Sequence, residues 1–138
     1  MKFLLSGGLA CYLLLITTSC NKHKHDHDHV DTENAIDRTV QFSLYTDKDF
    51  SADEKLITFR VAIEKYPNIT IWDSVLPPMK IKDIPSPLNK LKIEKLVKNQ
   101  AGQLKVGFYY TIDNVGISWF YNAMESWESN KVVDFNFR

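Results

Sequence analysis

Leu104-Lys105-Val106-Gly107-Phe108-Tyr109-Tyr110-Thr111-Ile112 is the stretch on which the fold reading turns. Leu104, Val106, Phe108, Tyr110 and Ile112 recur at every second position. Period two places them on one face of a β-strand, with Lys105, Gly107, Tyr109 and Thr111 on the other. Asp113-Asn114-Val115-Gly116 follows as a turn. Ile117-Ser118-Trp119-Phe120-Tyr121 then returns as the partner strand. Neighbours in a strand face opposite ways, so Trp119-Phe120-Tyr121 must put aromatic rings on both faces of the sheet.

Working outward, the same period recurs. Thr39-Val40-Gln41-Phe42-Ser43-Leu44-Tyr45-Thr46 alternates as a half-buried strand does. Ile57, Phe59, Val61 and Ile63 share one face of 56–64, and Ile69 to Val75 forms a third strand that ends at Pro77-Pro78. Met79 to Ile84 reads as a short strand. Leu88 to Lys98 fits either period, since Leu91, Ile93 and Val97 suit a strand while Ile93, Leu96 and Val97 suit a helix; strand is the favoured reading. Asn99-Gln100-Ala101-Gly102 is a turn, Ala123 to Asn130 a loop, and Val133, Phe135 and Phe137 line one face of a last strand. Seven or eight short strands with turns between them predict an all-β fold, a single antiparallel β-sandwich. Length and pattern over 39–138 are similar to the immunoglobulin-like or transthyretin-like domains of bacterial surface lipoproteins. Several strands are shorter than the roughly 9–11 residues of an outer-membrane barrel, which argues against one.

The amino terminus has a different character. Lys2 precedes an apolar run from Phe3 to Ile16, interrupted by Ser6-Gly7-Gly8, and small residues then lead to Cys20. A charged start, a short apolar run and a small-residue cleavage site make a secretory signal over 1–19. The run falls short of the roughly 20 residues a membrane span needs. Thr17-Thr18-Ser19-Cys20 resembles the lipobox of bacterial lipoproteins, in the relaxed Bacteroidota-type form with Thr17 where leucine is usual. The resemblance implies cleavage before Cys20, acylation of its thiol and amine, and residence at the outer membrane. Each buried methylene contributes about 0.8 kcal/mol, and more than one chain makes a firm anchor. Lys22 and Lys24 precede Asp26 and Asp28 as in the surface-export signals of such lipoproteins, but histidines interrupt the pattern. Both the periplasmic and the cell-surface face stay open.

Residues 20–38 form an acidic, polar tether with few core-forming side chains, expected to be mobile. Every histidine of the chain lies in it, at His23, His25, His27 and His29. Alternate spacing lines four imidazoles along one side of an extended chain, with Asp26 and Asp28 on the other. Neutral imidazole suits zinc, copper or nickel, and its pKa of about 6.5 frees it near neutrality. The tract is therefore a candidate metal site, with a solvated spacer as the plain alternative. No cofactor is otherwise required.

Residues 39–138 carry 13 Lys+Arg against 12 Asp+Glu, a balance that gives no support for nucleic-acid binding. They hold no cysteine and no histidine, which removes thiol, Ser-His-Asp and histidine-metal catalysis from the folded part. The expectation is a non-enzymatic binding or accessory protein. Fifteen aromatics fall in the same span. Tyr109, Trp119, Tyr121 and Trp127 are candidates for a platform that binds a glycan or a partner protein, packing under a loop being the competing account. Asp47, Asp49, Ser51 and Asp53 place oxygens at alternate positions, but Ala52 stands where a calcium loop needs glycine. Lysines from Lys80 to Lys105 read chiefly as edge-strand charges that block sheet pairing. Asp73-Ser74-Val75 resembles the O-glycosylation site of Bacteroidota-type periplasms, which implies Ser74 as acceptor. With the anchor on Cys20, Cys20→Ala is expected to move the protein from the membrane pellet to the soluble fraction; its retention in the pellet would end the lipoprotein reading.

Overall fold

The computed structural model describes residues 34–138. Eight strands follow in chain order: β1 (Ile36–Tyr45), β2 (Leu56–Lys65), β3 (Ile69–Val75), β4 (Met79–Lys80), β5 (Leu91–Gln100), β6 (Leu104–Ile112), β7 (Gly116–Met124) and β8 (Asn130–Asn136). They form two sheets, one ordered β5-β1-β8 and the other β3-β2-β6-β7, with β4 added beside β2. The expected all-β sandwich is what the chain forms. The strand reading of 88–98 is also right, since Leu91 and Ile93 pack on the core and Val97 is buried within β5.

Period two explains the packing. Val40, Phe42 and Leu44 of β1 and Val133 and Phe135 of β8 meet Ile57, Phe59, Val61 and Ile63 of β2 and Leu104, Val106 and Phe108 of β6. Phe42 packs edge-on against Phe108 at 5.7 Å, and Phe120 stacks on Phe135 at 4.9 Å between centroids. Among the described residues, every buried core residue lies between Val40 and Phe137, so this span carries a core of its own.

The structure departs from expectation at three places. The strand expected over 79–84 lasts two residues and gives way to a 3-10 turn, Ile81–Asp83. A turn of three residues brings Ile81 and Ile84 to the same side, and both are buried. β1 begins at Ile36 rather than Thr39, which draws Arg38 out of the expected tether and into the fold. Arg38 is fully buried, and its guanidinium donates to the carbonyls of Gly102 and Ser126. A buried cation is tolerable only with such partners. Finally, the sandwich is not wholly antiparallel: β8 pairs with β1 in parallel, Phe42 opposite Val133 and Leu44 opposite Phe135. Parallel neighbours need a long crossover, and six intervening strands supply it.

The turns around β6 overlap the expected stretches, although Asn99 and Gln100 still belong to β5 and Gly116 already opens β7. Asn114, between β6 and β7, has φ of 61°, and Gly102, between β5 and β6, has φ of 79°. Asparagine and glycine are the residues that tolerate this left-handed backbone.

A candidate binding face on the second sheet

The outer face of the second sheet is set by the residues that alternate with the core. Since Ile57, Phe59, Val61 and Ile63 point inward, Arg60, Ala62 and Glu64 of β2 point outward. Registration then builds rows across four strands. Thr70, Glu64, Lys105 and Ala123 lie side by side; so do Asp73, Ala62, Gly107 and Tyr121; so do Val75, Arg60, Tyr109 and Trp119. Three of the four aromatics expected to bind, Tyr109, Trp119 and Tyr121, therefore share one face on adjacent strands. Trp119 is 61% and Tyr121 51% exposed, while Phe120 between them turns into the core.

Gly107 shapes the middle row. A Cβ there would sit 2.1 Å from the Phe120 carbonyl oxygen and 2.6 Å from Tyr121 Cα. Only glycine lets β7 approach this closely, and with Ala62 beside it the row carries little side-chain bulk next to Tyr121.

Glu64 organises the charges. It is 6% exposed although it points away from the core. Tyr109 Oη donates to its Oε2 at 2.8 Å, Lys105 Nζ stands 2.8 Å from the same oxygen, and Arg60 lies 3.9 Å from Oε1. Burial pushes the Glu64 carboxyl up, but the bonds from Lys105 and Tyr109 outweigh it and hold the pKa below its ordinary value. The bond to Glu64, with the Tyr109 hydroxyl adding to it, raises Lys105 in turn. Lys105 also lies 5.6 Å from the Tyr109 ring centre and 5.2 Å from that of Tyr121. Arg60 bonds Asp73 through Nε at 2.7 Å and lies 5.3 Å from the Tyr109 ring. Arg60 and Lys105 are thus each matched by a carboxylate, and the Tyr109 and Tyr121 rings have cations at their faces.

A groove of about 300 Å3 opens at one end of this face. Tyr121 lines it together with Glu64, Asn68, Gln103, Lys105 and Ala123. It combines an aromatic wall with amide, carboxylate and ammonium groups, a mix that orients a polar ligand against an apolar surface.

The remaining candidates stand elsewhere. Trp127, expected with the platform, lies in the loop between β7 and β8, 76% exposed, and is not among the groove residues. Period two cannot assign a loop residue to a face, which is why the sequence grouped it with the others. Ser74 pairs with Val61, half-buried on the core side of β3. Carboxylates of the 47–53 loop do not converge. Asp47 bonds Asn136, Asp49 the Ser51 amide and Asp53 the Lys55 amide, and among the described residues no three acidic side chains gather round a cation site. Cys20, the four histidines, Asp26 and Asp28 lie outside the described residues. The edge reading of the lysines holds in part: Lys92, Lys95 and Lys98 belong to β5, at the rim of the first sheet, but Lys82 lies in the 3-10 turn and Lys105 on β6, an interior strand of the second sheet.

Sequence reasoning missed Arg60, Asp73, Glu64 and the groove residues Asn68 and Gln103. Parity alone would have sent Arg60 and Glu64 outward once the β2 core was assigned. That β2 lies against β6, so that Glu64 meets Lys105, is a matter of strand order. No protein-family model matches the chain, and no curated protein or solved structure matches it either.

The lowered Glu64 pKa carries a sign. The folded state holds the proton less tightly than the unfolded chain, so the stabilisation is complete above the unfolded value and fades as pH falls through the folded one. Glu64→Gln is expected to cost about 1.5–3 kcal/mol at pH 7, the range for hydrogen bonds to a charged group. The gap from the parent should narrow as pH drops below 4.5, the ordinary glutamate value. Urea unfolding at several pH values measures it, and a gap independent of pH would show that the carboxylate charge is not what stabilises this face.

Proposed function

We propose that this chain is a membrane-anchored, non-enzymatic lipoprotein whose β-sandwich binds a neutral glycan on the outer face of its second sheet. One observation carries the reading: Tyr109, Trp119 and Tyr121 stand together on the solvent side of two adjacent registered rows, where an antiparallel sheet ordinarily shows polar side chains. Flat rings with polar neighbours suit the apolar faces and hydroxyl edges of sugars. Asn68, Gln103, Glu64 and Lys105 in the groove offer donors and acceptors for those hydroxyls. Pairing of Arg60 with Asp73 and of Lys105 with Glu64 favours an uncharged ligand on the aromatic face, while Lys65 adds an ammonium to the groove that a sugar hydroxyl can meet. Anchoring rests on Thr17-Thr18-Ser19-Cys20 after an apolar signal, and places the domain outside the inner membrane.

Glycan-array binding by residues 21–138, with a tryptophan fluorescence change on titration, is the expected result. Trp119→Ala and Tyr121→Ala should each weaken binding at least about tenfold, or ~1.4 kcal/mol, with Trp127→Ala near the parent. Array silence together with unchanged fluorescence would remove the glycan reading, and capture of a protein through the same two residues would replace it.

Metal handling is a second reading, favoured by the confinement of every histidine to alternate positions between His23 and His29. Calorimetric titration of zinc, copper and nickel into residues 21–138 should give sub-micromolar affinity, about −8 kcal/mol or better, lost when all four histidines become alanine. Weak or histidine-independent binding would leave the tract a spacer.

A further inference from the structure

Every open sheet ends in strands whose outer backbone groups seek partners, and proteins protect such edges with charge, proline, bulges or short length. Three edges of this sandwich are so protected. β5 carries Lys92, Glu94, Lys95 and Lys98, and β8 carries Lys131 and Asp134. β3 carries Asp73, breaks register against β2 and runs into Pro77-Pro78.

β7 has none of these devices. Gly116-Ile117-Ser118-Trp119-Phe120-Tyr121-Asn122-Ala123-Met124 contains no charge and no proline. Its register with β6 is unbroken from Gly116 to Met124. Among the described residues it pairs with β6 alone. Its outward side chains include Ile117 at 71% exposure, Trp119 and Tyr121. A long, unbroken and uncharged edge that exposes large apolar side chains is a template for another strand.

We propose that β7 pairs antiparallel with β7 of a second copy of this chain, across a two-fold axis normal to the sheet. Charge selects this occupant. Antiparallel self-pairing sets a strand against its own reverse, and like charges directly opposite are destabilising. An uncharged strand escapes that penalty in every register, whereas β5, with three lysines to one glutamate, does not. The axis keeps outward residues opposite outward residues, so the sum of paired residue numbers is even. Centred on Phe120, the pairing puts Trp119 of one copy beside Tyr121 of the other, and Ile117 beside Ala123. Aromatic cross-strand pairs of this kind stabilise sheets. The two second sheets then join into one continuous sheet, a closed isologous dimer. The pairing is independent of whether the outer face takes a glycan.

Sedimentation velocity on residues 21–138, which retain the whole core, tests it together with amide hydrogen exchange. A concentration-dependent monomer–dimer equilibrium is expected in the micromolar range, with β7 amides gaining protection as the dimer fills. Ile117→Lys, an exposed position remote from the groove, should weaken association about tenfold or more by placing an ammonium on the bare edge. Circular dichroism confirms that the variant is folded, and exchange on the parent protein decides the matter if it is not. A monomer at every concentration, a dimer whose protection maps to β3, β5 or β8, or a folded Ile117→Lys variant that dimerises as the parent does would each overturn the proposal.

Discussion

Phe135 is the point through which the two sheets hold each other. Its ring stacks on Phe120 and lies 5.2 Å from Phe108, 5.7 Å from Tyr110 and 6.3 Å from Phe59. It belongs to the first sheet, and those four partners belong to the second. No disulfide can assist, because 34–138 contain no cysteine. The two sheets are joined chiefly by apolar burial and ring packing, and large buried aromatics contribute most per residue. Phe120 is the inward member of Trp119-Phe120-Tyr121, so the contact that closes the core also turns its two neighbours outward. The exposed platform is a geometric consequence of the interior.

Arg38 ties the ends of the sandwich as Phe135 ties its middle. Its guanidinium reaches from β1, the central strand of the first sheet, to the carbonyl of Gly102 before β6 and that of Ser126 after β7. Both loops carry chain between the sheets. Burial strengthens these bonds electrostatically and makes the loss of either partner costly. The loop after β7 is thereby held where β8 can enter beside β1 in parallel, which delivers Phe135 to its place.

On the outer face, burial and charge act together. Glu64 is covered by the side chains that bind it, and Tyr109 is held by its hydroxyl and by cations over its ring. A ring fixed in this way loses little freedom when a ligand stacks on its neighbours, and such preorganisation is where binding surfaces gain affinity. Gly107 contributes by omission, since any side chain there would push β7 from β6.

The strands themselves were legible in the residues because alternation is a local signal. The strands β2, β3, β5, β6 and β8, the inward sets of β2, β5, β6 and β8, and the split of Trp119, Phe120 and Tyr121 between faces all follow from period two and the turns; in β3 the adjacent Ile71 and Trp72 both pack on the core, which period two does not give. The signal and lipobox readings are equally local, resting on the order of side chains before Cys20. Only the tertiary structure decided what lies beside what. The parallel pairing of β8 with β1, the burial of Arg38, the meeting of Glu64 with Lys105 and Tyr109, and the bareness of the β7 edge all depend on strand order. Strand order is set by how two sheets fill a common core, a sum over contacts distant in sequence, and no window of neighbouring residues contains that sum.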